Sequence, residues 1–384
     1  MTPEELALTY TIGSERTQID SVEAPAWMAD LALSRWCVET GDRKTGLRAC
    51  ERLTASYAPG WIRLAASRNR VAYAPMLSEL IADLAWARFE APPHTLGWTR
   101  HNPTIAADPD TDGYLAIVRS SNWNHDDGDY RPIDADGHHR SENTVIGLDA
   151  ELSMTWHARL DATIGQQRPA KFIVEGYEDL RLFRAGSRWM ATASVRDRRG
   201  DGLARVVLLR LDLRPGRPRV VDERVLPSSA PRNEKNWVAL PDSTDAILAV
   251  YGWNPLSVVN LARPEAPVAT QPLLPMSESL RGGTPFVDVG EGLTLGVVHD
   301  ISFGAAGRRT YLHRFVALDG QHRLAAISVP FGFRTIGIEY CAGLAVKDDL
   351  VTLSFGFDER EAWMVQAELD DVMALLRPVP TPAY

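Results

Sequence analysis

The 384-residue chain carries 41 Lys and Arg against 50 Asp and Glu, a formal charge of −9, and 45% of its residues are hydrophobic. That apolar content excludes a disordered chain, and the acidic balance argues against broad binding to nucleic acid or anionic membranes, which reward a positive surface. A single core usually stops growing near ~250–300 residues, so the length predicts one large β architecture or a main domain with an appendage.

Nothing in the chain approaches the ~18 consecutive apolar residues of a membrane span. The opening Met1-Thr2-Pro3-Glu4-Glu5-Leu6 lacks the basic and apolar regions of a secretory signal. Cys37, Cys50 and Cys341 show no metal-ligand spacing and leave one odd thiol, which fits a reducing compartment. The sequence therefore predicts a cytoplasmic protein with no metal, nucleic-acid or membrane partner.

From Pro25 to Glu90 the apolar residues recur at helical spacing. Trp27 with Leu31, Leu47 with Cys50 and Leu53, and Met76 with Leu77, Leu80, Ile81 and Leu84 make three helix faces. Ala91-Pro92-Pro93 ends this pattern. Residues 1–93 are read as a helical extension and 98–384 as a separate domain.

After Pro93 the chain turns to short β-type runs divided by Gly, Asp, Asn and Pro. They are Tyr114–Arg119, Arg188–Val195, Ala204–Leu213, Ala246–Tyr251, Leu293–Val298, Thr310–Leu318, Leu350–Phe355 and Trp363–Leu369. With no βαβ alternation, they favour a sandwich, barrel or propeller. A weak internal repeat selects among these. Five openings, at Asn102, Asp179, Lys235, Thr284 and Cys341, lead through a hairpin to Arg119, Arg196, Gly252, His299 and Asp358, at offsets of 17, 17, 17, 15 and 17 residues. Units of about 57 residues match four-stranded propeller blades. The fold class predicted is mainly β, a five-bladed β-propeller with a small N-terminal α-helical domain.

The start of one hairpin strand and the end of its partner lie at the same sheet edge. The polar openings and ends should therefore share one face and converge on the central channel. They include Asn102, Arg119, Glu178, Asp179, Arg181, Arg196, Lys235, Asn236, His299, Glu339 and Asp358. In Glu178-Asp179 the two carboxylates point to opposite faces of a strand, so one can enter the channel while the other pairs with an arginine. A carboxylic acid held among apolar rings keeps its proton near neutrality and can act as a general acid. Arg119, Arg196, Lys235 and His299, arriving from different blades, match the charge and acceptor oxygens of a phosphate. Trp123, Trp237 and Trp253 lie near expected loop tips, where a ring can stack on a sugar or close a blade edge.

The order Asn-Pro, Glu-Asp-Leu-Arg, Glu-Lys-Asn, Gly-Gly-Thr-Pro…Val-His and Ser-Phe-Gly-Phe-Asp resembles glycoside hydrolase family 130 and the related glycosyltransferase family 108, over residues 98–370. The resemblance implies a five-bladed propeller that phosphorolyses, transfers or hydrolyses β-mannosides with inversion. It implies Asp179 as proton donor, Arg119, Arg196, Lys235 and His299 as phosphate ligands, and Asn102, Glu178, Arg181, Asn236 and Asp358 around the sugar; Glu339, from its place on the polar face, is read as a further substrate-binding residue. The sequence departs from the pattern at Leu180, where the family has proline, and at Asp300, where it has glycine. The helical extension lies outside the resemblance.

An inverting hydrolase needs a second carboxylate as base, for which Glu339 and Asp358 are the candidates. A phosphorylase needs only cations that bind and orient phosphate. The cation cluster favours phosphorolysis or transfer from a sugar 1-phosphate, on an oligosaccharide or sugar-phosphate substrate, with inorganic phosphate or sugar 1-phosphate as co-substrate and no cofactor. The alternatives are hydrolysis and a non-catalytic propeller that binds a sugar or recruits a protein through its helices. Homo-oligomerisation is left open.

Overall fold

The computed structural model describes residues 27–90, 95, 97–126, 129–165, 174–198, 200–227, 231–241, 246–272, 274–303 and 309–379. Five antiparallel sheets follow one another along the chain as the blades of a propeller. Blade 1 runs Thr99–Ala107, Tyr114–Ser121, His139–Leu148 and Met154–Arg159; blade 2 runs Glu178–Ala185, Arg188–Val195, Arg205–Asp212 and Arg219–Val225. Blade 3 runs Val238–Ala239, Leu248–Trp253, Leu256–Asn260 and Arg263–Gln271. In blade 4 the innermost strand is split into Arg281–Gly282 and Val287–Asp288, both paired with Thr294–Phe303, and Arg309–Leu318 and Leu324–Ile327 complete the blade.

Blade 5, Glu339–Lys347, Leu350–Phe357 and Glu361–Glu368, takes its fourth strand from the other end of the chain: Ala85–Arg88 pairs with Glu361–Glu368, Trp86 opposite Val365. The helical face read over Met76–Leu84 is thus corrected. Only Leu77–Leu80 is helical there, and the following residues cross the expected 1–93 boundary to close the ring. Two chain segments of opposite ends joined in one sheet resist opening of the propeller without any disulfide; all three cysteines are free and buried.

Strand alternation gives every blade two apolar faces, and each seals against a neighbour. Leu182, Ala191, Val207 and Leu209 of blade 2 meet Ile117 and Val145 of blade 1, while Phe183, Met190 and Val206 meet Trp237, Ala249 and Val259 of blade 3. Val250 and Val258 meet Val298 and Val316, and Phe315 and Leu295 meet Phe355 and Leu353. Ile105, Ala116 and Ile146 with Ala345 and Met364 close the circle. Trp237 and Trp253, 2% and 4% exposed, belong to this packing, not to loop tips.

Helices α1 (Trp27–Thr40), α2 (Arg43–Ala55) and α3 (Gly60–Asn69) form the extension. Asp42 caps α2 by accepting from the Thr45 N–H at 3.1 Å. Leu53, Ile62 and Ala66 pack with Trp27 and Leu31, and Cys37 and Cys50 pack with Tyr73, Leu33 and Leu47, as the helical spacing predicts.

A buried charge cluster fastens these helices to blade 4. Arg70 Nη2 donates to Asp300 Oδ2 at 2.9 Å, with the two side chains 2% and 1% exposed. Arg314 donates to both oxygens of Glu51 at 2.7 Å, and Arg314 Nε lies 3.5 Å from Asp300. Asp300 also accepts from Ser279. Two cations and two anions compensate one another, so removing one leaves an unmatched buried charge, at about 3–5 kcal/mol. Arg70→Met should lower the unfolding free energy by that order in urea titration, with Arg70→Lys falling between; a wild-type value for Arg70→Met would show that the cluster does not hold the helices.

Candidate active site

The first strands of blades 1 and 2 carry the same irregularity. His101 and Thr104 pair with Arg119 and Ile117, and Glu178 and Arg181 pair with Ser194 and Thr192, so each first strand holds one extra residue. The residue entering each bulge is left-handed, Asn102 at φ 47° and Asp179 at φ 52°, and Asn236 at the head of blade 3 has φ 64°. Asn and Asp tolerate this conformation better than most residues, at a cost of ~1–2 kcal/mol. Its effect is to turn three short polar side chains off the regular pleat and into a common cavity of about 630 Å³ at the head of the channel.

One guanidinium organises that cavity. Arg119 Nη2 donates to Glu178 Oε1 at 3.1 Å and Nη1 to Asp179 Oδ1 at 3.0 Å, while its Nε donates to Ser141 Oγ at 2.9 Å. The Trp123 ring lies 4.7 Å from its carbon centre. Lys235 Nζ donates to the other Glu178 oxygen at 3.1 Å, and Asn102 Nδ2 donates to Asp179 Oδ1 at 2.9 Å. Both hydrogen bonds to the Asp179 carboxylate fall on Oδ1; Oδ2 accepts none among the described residues.

The charge state follows from these neighbours. Burial alone raises the Asp179 carboxyl, but Arg119, Lys235 and Arg181 together with the Asn102 hydrogen bond outweigh it and hold the group well below the ordinary carboxylate range. Glu178 is likewise raised by burial and brought below its usual value by Lys235 and Arg119. The expectation of an acid kept protonated by apolar rings is thereby corrected: Asp179 is an anion among cations. His299, 1% exposed, is kept neutral by burial and by the nearby His313, Arg181 and Arg281. Its ring stands edge-on to Tyr340 at 5.3 Å.

Asn102, Arg119, Glu178, Asp179, Arg196, Lys235, Asn236 and His299 all line the cavity, as expected from the repeat. Three residues do not. Arg181 is buried beneath the floor, where it donates to Gly283 O at 2.8 Å, Asp179 O at 3.0 Å and Asn236 Oδ1 at 2.8 Å, and to the Tyr340 hydroxyl. Glu339, fully buried, accepts the N–H groups of Phe333, Arg334 and Thr335 at 2.6, 2.8 and 3.0 Å and so folds the preceding loop. Asp358 sits in a left-handed turn with its side chain 54% exposed. In both of the last two cases the next residue, Tyr340 or Glu359, is the one on the cavity wall. Sequence reading missed Arg281, Arg309 and Tyr311, which complete the blade 4 wall. Arg281 stands directly opposite His299 in the strand register, a signal hidden because the blade's first strand is broken.

Among the described residues no group of His, Cys, Asp or Glu is arranged to hold a metal ion, and no helix is long and apolar enough to cross a membrane.

No protein-family model and no curated protein matches the chain in sequence. Solved structures do match in fold. The β-1,2-mannobiose phosphorylase from Listeria innocua superposes with a TM-score of 0.52 at 12% identity, over 76% of this chain and 98% of that one. A putative glycosidase from Bacteroides thetaiotaomicron gives 0.51 at 12% identity, over 74% and 96%. The five-bladed propeller is therefore a fold that this chain shares with both of those proteins.

The pairing of Arg119 has a pH signature. Because Glu178 and Asp179 are lowered in the folded state, they add stability that is present above their unfolded values near ~4 and is lost as pH falls below them. In Arg119→Met the two carboxylates lose a cation and bind protons more readily. The variant should melt well below wild type at pH 7, and the gap should shrink as pH is lowered through ~4 and below, where the wild-type stabilisation is lost. A gap independent of pH, measured by calorimetry, would rule out the charge pairing as its cause.

Proposed function

We propose that the cavity is the active site of an inverting β-glycoside phosphorylase, or of a transferase working from a sugar 1-phosphate, with a β-mannoside as substrate. The observation that carries the reading is Asp179: a carboxylate fixed on a strained bulge, one oxygen tied down and the other unbonded among the described residues, in a cavity with more cations than carboxylates. Both candidates for a hydrolytic base, Glu339 and Asp358, are absent from the cavity wall. The fold shared with a mannobiose phosphorylase supports the same choice.

In this reading the phosphate oxygen forms a bond to the anomeric carbon as the bond to the leaving oxygen breaks on the opposite face. The proton on Asp179 passes to that leaving oxygen, directly or through a sugar hydroxyl. Arg119, Lys235 and Arg181 hold the proton affinity of Asp179 down, so the acid form is generated by binding. A phosphate seated against Arg119 and Lys235 cancels the field that stabilises the carboxylate, and the proton affinity of Asp179 rises when the acid is needed. The chemistry as written calls for no metal or organic cofactor. A purely scaffolding propeller gives no reason to desolvate two adjacent carboxylates beneath a set of arginines.

Hydrolysis is the second reading, and one observation favours it: Glu359 is a further carboxylate on the cavity lining. Incubation with mannose 1-phosphate and a panel of sugar acceptors decides between them. Phosphate release is expected; sugar release from mannosides in phosphate-free buffer, abolished in Glu359→Gln, would replace phosphorolysis with hydrolysis. Asp179→Asn should cut turnover by ~10²–10⁴-fold, the range of general acid catalysis. An Asp179→Asn protein with full activity would exclude Asp179 as the acid.

A further inference from the structure

Arg181 is a buried cation that the reaction as written does not use. It is 1% exposed, and its donors reach four blades at once. They bond Asp179 O on blade 2, Asn236 Oδ1 at the head of blade 3, Gly283 O in the break of the first strand of blade 4, and the Tyr340 hydroxyl on blade 5. Gly283 leaves no room for a side chain: a Cβ there would lie 2.6 Å from Val297 O and 3.0 Å from Cys341 O. All four acceptors are neutral, and among the described residues Arg181 has no ion pair. A guanidinium taken out of water in this way is costly unless a counter-charge lies nearby.

The counter-charge is Asp179. The titratable groups that face its carboxylate are Arg119 and His101 of blade 1, Glu178 beside it, Lys235 at the head of blade 3, His299 and Tyr311 of blade 4, and Tyr340 of blade 5. Burial keeps both histidines neutral and both tyrosines protonated. Arg119 and Lys235 also bond Glu178, whereas Arg181 bonds no carboxylate. We propose that Arg181 is a positioning residue that acts through Asp179: its fork fixes the left-handed backbone of Asp179 and the amide of Asn236, and its charge, unshared with Glu178, balances the Asp179 carboxylate from beneath the floor. The inference rests on the reading of Asp179 as the acid. Arginine has no acceptor, so Asn236 must turn its oxygen to the guanidinium and offers N–H groups to the cavity it lines. The unbonded oxygen of Asp179 and the N–H groups of Asn236 are thus held by the same cation. Lysine would supply the charge but not the fork.

A double-mutant cycle separates this role from packing alone and needs no turnover. Arg181→Met removes the same hydrogen bonds in the wild-type and in the Asp179→Asn background. Its cost, read as the unfolding constant in urea titration, should nevertheless be about tenfold larger beside the carboxylate. Carboxyl-carbon NMR, with the Asp179 resonance assigned by its loss in Asp179→Asn, adds a pH profile. The proton affinity of Asp179 should rise about tenfold or more in Arg181→Met and stay close to wild type in Arg181→Lys, which keeps the charge. Arg181→Gln, whose amide still donates to two of the four oxygens, is the neutral variant to use where the methionine protein does not fold. Folding of a neutral variant only in the Asp179→Asn background also supports the proposal. Equal cost in both backgrounds, an unmoved Asp179 titration, or failure of both neutral variants to fold in either background makes Arg181 a structural tie and overturns it. If the coupling is found while Asp179→Asn keeps full activity, the positioning of Asp179 stands and its reading as the acid falls.

Discussion

The architecture of the cavity depends on one interaction, the Arg119 guanidinium of blade 1 bridging two adjacent carboxylates of blade 2. Neighbouring residues on a strand should face apart, yet Glu178 and Asp179 both reach the same cation. The bulge makes this possible by rotating Asp179 out of the pleat. Two buried anions side by side repel each other, and the pair is tolerable only because donors arrive from blade 1 and from Lys235 at the head of blade 3. The site therefore exists only when three blades are correctly placed, and blade packing sets the charge state of its acid. A carboxylate compensated so fully is a poor acid at rest. In the proposed reaction it becomes one when an incoming anion competes for the same donors, which would couple chemistry to occupancy of the cavity.

The repeat that is visible in the sequence corresponds to a physical unit. Each opening lies on or beside the innermost strand of a blade, and each end lies on or just past the second. A short polar residue before an apolar run was legible because left-handed bulges favour Asn and Asp. What the pattern could not convey is which of two neighbours faces inward. Glu339 and Tyr340, and Asp358 and Glu359, are adjacent pairs in which the motif pointed to one residue and the wall uses the other. A period of two makes a one-residue error a complete reversal of face. Leu180 shows the same logic: its side chain is 2% exposed in the core between blades 1 and 2, so an apolar residue suits the place where the resembled pattern has proline.

Closure of the ring was illegible for a different reason. Ala85–Arg88 is too short to alternate convincingly, and it follows a run whose apolar residues sit at helical spacing. Its strand character comes from Glu361–Glu368, more than 270 residues away, which offers an open edge. Tertiary pairing overrides local pattern in a four-residue segment. Arg281 and Tyr311 were missed on similar grounds, since one lies on a two-residue strand and the other on a third strand that the repeat does not sample.

The departure at Asp300 and the presence of helices outside the resembled region have one explanation. Alternation along Thr294–Phe303 sends His299 into the cavity and Asp300 outward, where Arg70 meets it. A glycine at that position could not hold the helices, and an aspartate without Arg70 would be a buried unpaired charge. Arg70 and Asp300 are therefore two halves of one feature, separated by 230 positions in sequence. The strand fixed from behind by this pair is the same strand that supplies His299 and Ile301 in front. The helical extension thus braces the blade that carries His299.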